Sequence, residues 1–416
     1  MREDCHAELG ASGRQALAAT HREVTVGAER LRLRDRPPGR SHRGDGVAKL
    51  PFGVAGRQLE QSPERRVSIC LSVDPRESRR ILLADDAERD TLPGAMKRLE
   101  IHPYGPEFLD DAARLLAQRH ASQRVGEPAL PAAYEQVDVA REAIEKLSTE
   151  HASGAVATRG GEVVGYLLGT PREDPTWGPN VWVELAGHAV SVAEDVRDLY
   201  ALAATRWVEE GRTSHYAIAP AGDPALIDAW FRLGFGQQHV YAMREVPETP
   251  MTELPDWLEI RRPTRDEIPV LAELELALPA HQHASPVFSP LAPPALDESI
   301  GDLEEDFDDP KYTTFVAVAD GRVVGSAIGC SITISSMHSG LARPDNAGFL
   351  GFAAVLPEAR GAGAGQALGA TVLDWAAAEG YEVVITDWRA TNLLSSRAWP
   401  KLGYRATFLR LFRAIA

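Results

Sequence analysis

The chain has 416 residues, 44% of them hydrophobic and 25% charged, with a formal net charge of −16. That length calls for two or three domains rather than one core, and the composition is that of a globular protein. The acidic balance excludes a nucleic-acid binder working through a net basic surface. The three cysteines, Cys5, Cys70 and Cys330, are too scattered for a disulfide framework or a CxxC metal motif. Cys330, in an apolar run, reads as a buried small hydrophobe. No stretch approaches the roughly 20 apolar residues of a membrane helix, and no apolar signal segment opens the chain. The expected compartment is the cytoplasm, with neither nucleic acid nor membrane as a partner.

Residues 1–95 differ from the rest. They carry 17 basic side chains, Lys49 the single lysine among them, against 15 acidic ones, which leaves the remainder at −18. Pro and Gly recur through Arg36–Arg40, and Val67 to Val73 is the one candidate strand. The segment has little to bury and is expected to be a disordered or non-native extension, with Met96 as a candidate natural start.

From Leu99 onward the chain repeats itself. Leu99-Glu100-Ile101 returns as Leu258-Glu259-Ile260, and Gly161-Glu162-Val163-Val164-Gly165 as Gly321-Arg322-Val323-Val324-Gly325. Ala229 to Phe235 returns as Ala398 to Tyr404. Matches in one order and at nearly one spacing indicate two copies of one fold, 96–246 and 257–416, joined by a proline-rich linker at Val246 to Asp256. Each copy reads as a strand, one or two helices (Pro106 to Arg124 and Tyr134 to Glu150; Arg265 to Ala280 and Leu296 to Phe307) and a Val-rich hairpin. A strand, an amphipathic helix (Ala193 to Glu210; Gly363 to Glu379), a strand, a short helix and a last strand follow. Gly234 and Gly403 read as C-terminal helix caps. The fold class is mixed α/β, an α+β arrangement with a mixed sheet.

The second copy carries the most informative string, Val355 to Gly369. An apolar run, Phe349 to Val355, leads through Pro357 into Arg360, Gly361, Gly363 and Gly365, then a helical pattern. Alternate glycines leave backbone N–H groups uncovered at a helix N-terminus, a site for phosphate or pyrophosphate, and Arg360 adds a forked donor. A Walker loop is excluded because no Gly-Lys-Ser/Thr follows. A Rossmann turn binding NAD stays open, since Gly363-Ala364-Gly365 precedes Gly369 and Asp387 ends the next strand.

These residues resemble the GNAT N-acetyltransferase superfamily, whose loop reads Gln/Arg-x-x-Gly-x-Gly/Ala after a strand ending near Val-x-Pro. Asn392, Ser395, Trp399, Gly403 and Tyr404 fall on its downstream pattern. The resemblance covers Leu258 to Ala416 and, through the repeat, Leu99 to Val246. It implies a tandem pair of GNAT-like domains with acetyl-CoA as cosubstrate and no metal. The amides of Arg360, Gly361, Ala362, Gly363, Ala364 and Gly365 would bind the pyrophosphate. The strand at Ala353, Ala354 and Val355 would pair with the pantetheine arm, and Asn392 and Ser395 would help hold CoA.

The first copy lacks the loop. It reads Ser191-Val192-Ala193-Glu194-Asp195-Val196-Arg197-Asp198, with acids in place of glycines and Asp223 at the position of Asn392. It is expected to have lost the cofactor. Trp399 stands where the family often has a catalytic Tyr, and its indole cannot serve as an acid. The strand Phe349 to Val355 has no carboxylate. The candidate catalytic groups are Asp387 and Glu358, with Asp345 and His338 nearby; His338, in a polar loop, is expected to be exposed. His281 and His283 lack a third partner and are not expected to bind metal. The resulting expectation is acetyl transfer to an amine, a small molecule rather than a protein, by direct attack in the C-terminal copy, with a homodimer compatible. A non-catalytic acyl-CoA-binding or regulatory protein of the same fold is the alternative, and the NAD-binding protein the third.

Overall fold

The computed structural model describes residues 98–415 except 175–176, 253, 291–293, 336–337 and 339. The expectations for residues 1–95 and for Met96 lie outside the described residues. Among the described residues no helix is long and apolar enough to cross a membrane.

The first copy runs β1 (Leu99–Pro103), α1 (Leu109–Gly126), α2 (Val137–Glu145), β2 (Ser153–Arg159), β3 (Glu162–Asp174), β4 (Gly178–Val183), β5 (His188–Val190), α3 (Asp195–Glu209), β6 (Ser214–Pro220), α4 (Pro224–Arg232) and β7 (Gly236–Glu245). The second repeats the plan with β8 (Leu258–Arg261), α5 (Ile268–His283), α6 (Leu296–Asp306), β9 (Tyr312–Ala319), β10 (Arg322–Ser331), β11 (Ala347–Val355), α7 (Ala364–Ala378), β12 (Val383–Arg389), α8 (Leu393–Lys401) and β13 (Arg405–Ala414). Gly234 and Gly403 have φ of 82° and 86°, the left-handed caps read from sequence.

All thirteen strands form one sheet, in the order β1-β2-β3-β4-β6-β13-β7-β12-β11-β10-β9-β8, with β5 paired to β3. Sequence order does not predict this path. The last strands of the two copies are exchanged: β13 lies between β6 and β7, both from the first copy, whereas β7 lies between β13 and β12. Only β4–β6 and β11–β12 run parallel among the described ladders. A dinucleotide-binding sheet is parallel throughout its core, so the Rossmann alternative falls.

Strand alternation divides the core in two. On one face Ala217, Val240, Val384, Trp388, Leu409 and Leu411 pack under α3, α4 and α7. On the other, Ile218, Tyr241, Ile385 and Phe408 meet α1. Phe408 and Leu411 are almost fully buried, so β13 is a central strand of the core. The linker is fixed as well: the amides of Met251 and Thr252 donate to Asp374 of α7 at 2.8 and 3.0 Å.

Five histidines are buried: His120, His188, His215, His239 and His338. Burial pushes all five below the ordinary imidazole value, to about 3 for His188 and about 4 for His215, His239 and His338. In the unfolded chain these groups take up protons below ~6.5, whereas in the folded state they resist doing so. Their contribution is therefore present above that pH and is lost as pH falls through 6.5 towards 4. Glu275, pushed up to about 7 by burial, acts in the opposite sense, but it is one group against five.

Two outcomes are expected. Calorimetry should show Tm falling steeply between pH 6.5 and 4 with proton uptake on unfolding; a flat Tm over that window contradicts the buried neutral histidines. Residues 257–416 expressed alone should fail to unfold cooperatively, because β13 loses both neighbours and β12 loses one. A sharp thermal transition for that fragment would contradict the exchange.

Candidate active site

Two strands that part company create the site. β11 and β12 pair only from Ala347 to Phe349 against Val383 to Ile385. At that point the β10 register slips, so Gly329 faces Leu350 while Ile328 faces Phe352, and Gly351 is left as a bulge. Beyond it β11 follows β10 to Val355, whereas β12 stays with β7 as far as Arg389, opposite His239. Thr386 Oγ1 donates to the Leu350 carbonyl at 3.0 Å and marks the end of the seam.

The glycine loop closes one side of this gap. After Val355 the chain makes one turn, Pro357–Ala359, and Arg360 folds back so that its Nε donates to the Val355 carbonyl at 3.0 Å. Gly361 and Gly363 have φ of 88° and 101°. Such values strain any L side chain, which explains glycine at both places. Gly363 caps α7 and its carbonyl accepts from Gln366 and Ala367. Helix geometry leaves the N–H groups just before these without intrahelical acceptors, and the helix dipole favours an anion there. Gly369, one turn on, has a packing role: a Cβ would sit 2.6 Å from Leu402 and 3.0 Å from Trp399.

Asn392 caps α8 across the gap, its Oδ1 accepting from the amides of Leu394 and Ser395 at 3.1 and 3.3 Å. His281 Nε2, on α5, lies 3.3 Å from the same oxygen. The resulting cavity of about 380 Å³ is lined by Ala353, Ala354, Val355, Arg360, Gly361, Gly363, Ala364, Gly365, Asn392 and Ser395, and also by His281 and Trp399. Ala362 alone of the proposed cofactor residues is not in the lining. Trp399 is 8% exposed and packs edge-on to Tyr404.

The candidate catalytic groups separate. Glu358 is exposed on the turn and lies outside the cavity lining. Asp387 is half-buried on the sheet face opposite α7, also outside the cavity lining, and its Oδ1 accepts from His239 Nε2 at 2.7 Å. Burial raises its carboxyl, but the hydrogen bond from His239 and the charge of Arg410 outweigh burial and hold it below the ordinary value. The pair is thus a carboxylate and a neutral imidazole. His338 corrects an expectation: it is 2% exposed, its Nδ1 bonded to Ser335 Oγ at 2.8 Å and its ring 5.3 Å from both Tyr241 and Phe349. Aromatic neighbours from β7 and β11, distant in sequence, cover a loop that reads as polar.

His239, Arg389 and Arg410 are the residues that sequence reasoning missed. They sit side by side across β12, β7 and β13 on the face of Asp387, Arg389 and Arg410 both in register with His239. Their proximity depends on the strand exchange, which no local pattern reveals. In the first copy the equivalent gap is filled: Arg159 clamps Asp195 with bonds of 2.7 and 2.6 Å, and Glu194 holds Arg197 and Arg232. Asp223 repeats the cap of Asn392, accepting from Leu226 N at 2.9 Å.

Residues 278–404 match the model of the Acetyltransferase (GNAT) family, so that segment carries a GNAT domain. Solved structures similar to the chain include a GCN5-related N-acetyltransferase from Sphaerobacter thermophilus, at 14% identity over 78% of this chain and 97% of that one, with a TM-score of 0.47. A tandem GNAT protein from the clavulanic acid biosynthesis pathway is 17% identical over 76% and 98%, with a TM-score of 0.39. An aminoglycoside N-acetyltransferase in complex with CoA is 23% identical over 36% and 89%, with a TM-score of 0.29. No curated protein matches the chain. Among the described residues no cluster of three or more His, Cys, Asp or Glu is placed to hold a metal; His281 turns to Asn392, and His283 Nδ1 to the Ser289 carbonyl.

Asn392→Ala removes both the cap and the His281 contact. It should cost about 1 kcal/mol, the usual value of a lost N-cap, read as a lower Tm with the secondary structure unchanged by circular dichroism.

Proposed function

We propose that the protein is an N-acetyltransferase that moves an acetyl group from acetyl-CoA to a small-molecule amine in the C-terminal copy. One observation carries this reading. The end of β11 from Ala353 to Val355, the N-terminus of α7 with its glycine loop, and the cap of α8 all line a single cavity. The GNAT domain on residues 278–404 supports acyl-CoA-dependent transfer as the general chemistry.

Acetyl-CoA supplies an activated thioester; the chain supplies position and charge. Residues Gly361 to Gly365 offer uncovered amides and a helix dipole to pyrophosphate, with Arg360 beside them. The free edge of β11 from Ala353 to Val355 offers backbone groups to an extended arm, as an added strand would find them. Attack requires a neutral amine, and Asp387 is the carboxylate nearest the parting strands. Held ionised, it is a weak base, suited to orienting the amine and stabilising the positive charge that forms on nitrogen. His239 fixes that carboxylate through its Nε2–H and acts as a positioning residue. Among the described residues no tyrosine takes the place of Trp399; the C–S bond breaks as the amide C–N bond forms, and the proton shed by nitrogen passes through solvent to the departing thiolate.

Acetyl-CoA should raise Tm and NADH should not. Ligand at 100 times its Kd contributes ~2.7 kcal/mol, a shift of several degrees, and Arg360→Glu should abolish most of it. Stabilisation by NADH alone would refute the proposal. Release of CoA thiol with a panel of small amines measures transfer. Asp387→Asn should lower kcat by roughly 100-fold, the lower end of the general acid–base range, while KM for acetyl-CoA changes little. Acetyl-CoA binding with no thiol release across the panel would favour a non-catalytic acyl-CoA-binding protein.

A further inference from the structure

A second cavity, of about 560 Å³, lies over the first copy and is larger than the one beside the glycine loop. Its floor comes from β4 and β6, where Trp182 and Tyr216 stack with ring centres 4.5 Å apart and planes 13° from parallel. Trp177 forms part of the wall, and β13 contributes Arg410, which is 6% exposed. Arg389, 8% exposed, adjoins it with its guanidinium 5.7 Å from the Trp177 ring centre.

The charges here do not balance locally. Arg172 pairs with Glu184 at 2.5 Å, and Glu173 with Arg212 at 2.7 Å. Among the described residues neither Arg389 nor Arg410 has a carboxylate within salt-bridge distance. Arg389 Nε donates to Gln282 Oε1 at 3.2 Å, and the Arg410 guanidinium lies 5.5 Å from the Trp182 ring centre. Asp387, the carboxylate they face, is already bonded to His239. Three further buried atoms that belong to the cavity lining lack partners: Arg410 Nε, Gln238 Oε1 and Asn180 Oδ1. A buried cation without a counterion is costly, and unpaired donors and acceptors beside it add to that cost.

We infer that this cavity is a binding site for a ligand that joins a carboxylate to a flat apolar body, the carboxylate held by Arg410 and Arg389 and the body lying against Trp177, Trp182 and Tyr216. With the pairs Arg172–Glu184 and Glu173–Arg212 set aside, Arg410, Arg389 and Lys146 against Asp387 and Asp174 leave an excess of about one positive charge, which matches a monoanion better than a phosphate dianion. The guanidinium fork suits the two carboxylate oxygens. Arg389 reaches from this cavity to the end of β12, so the ligand's other end faces the parting strands. If acetyl transfer proceeds as proposed above, the ligand is the acceptor, an amine bearing a carboxylate; that last step rests on the proposed function, but the binding site does not.

Calorimetric titration of the full chain without acetyl-CoA tests the site, using 3-phenylpropionate, phenylalanine, phenethylamine and inorganic phosphate. The two carboxylates should bind, and phenethylamine should bind at least tenfold more weakly, in line with loss of a charge-assisted bidentate contact. Arg410→Gln and Arg389→Gln should each weaken the carboxylates about tenfold, and Arg410→Lys less. Each variant is checked by its thermal transition, and Arg389→Gln carries the test if Arg410→Gln does not fold. Arg360→Glu should leave carboxylate binding unchanged while abolishing acetyl-CoA stabilisation, so the two readings fail separately. Equal or tighter binding of phenethylamine or phosphate, insensitivity to both arginine variants, or no heat from either carboxylate at millimolar concentration would overturn the proposal.

Discussion

The exchange of β7 and β13 is the constraint on which the rest depends. Each copy holds out its last strand to the other, so the hydrogen-bonding edges of β6 and β12 are satisfied across the pseudo-symmetric centre rather than within a copy. An unpaired edge in the middle of a core would cost several backbone hydrogen bonds and expose Phe408 and Leu411. Arg405 reinforces the junction at its rim, bonding Glu127 of the first copy and Glu245 of β7. The same geometry puts His239 next to Asp387, so a residue of the copy without a cofactor loop becomes part of the site in the other.

The two copies also show how few residues separate a phosphate cradle from a closed turn. Both bring a strand to the N-terminus of a helix and both cap the following short helix with an Asx side chain. In one, glycines keep the amides uncovered. In the other, Asp195 enters the same helix N-terminus and is clamped by Arg159 from the neighbouring hairpin. The carboxylate occupies, from within, a place that suits an anion from outside. The difference between the two helix N-termini is a substitution of partners and needs no change of backbone plan.

Much of this was legible in the sequence because it rests on local rules. The helix caps at Gly234 and Gly403, hairpin turns at Gly161 and Gly321, and the repeated order of elements all follow from residue type and spacing. The cavity beside Gly363 gathers, apart from His281 and its neighbours on α5, residues within fifty positions of one another. Less legible was everything that depends on register between distant strands. Nothing near His239 indicates that it meets Asp387, 148 positions away. Arg410 reads as one polar residue in a strand, and His338 as part of a polar loop. Their burial is decided by which strand lies beside which, and pairing partners leave no mark in a single sequence. Glu358 shows the reverse error: adjacency in sequence to the loop did not bring it to the cavity.

The place of β13 also sets an order of events during synthesis. This strand follows every other described element in the chain, yet it sits near the centre of the sheet. Until it emerges, β6 and β7 face each other across an empty slot, each with a row of unpaired N–H and C=O groups and with apolar side chains on both faces. Such edges are templates for pairing with other chains. The middle of the sheet is therefore closed only after the strands on either side of it have been made, and the interval before closure is when a holding chaperone would find the most to bind.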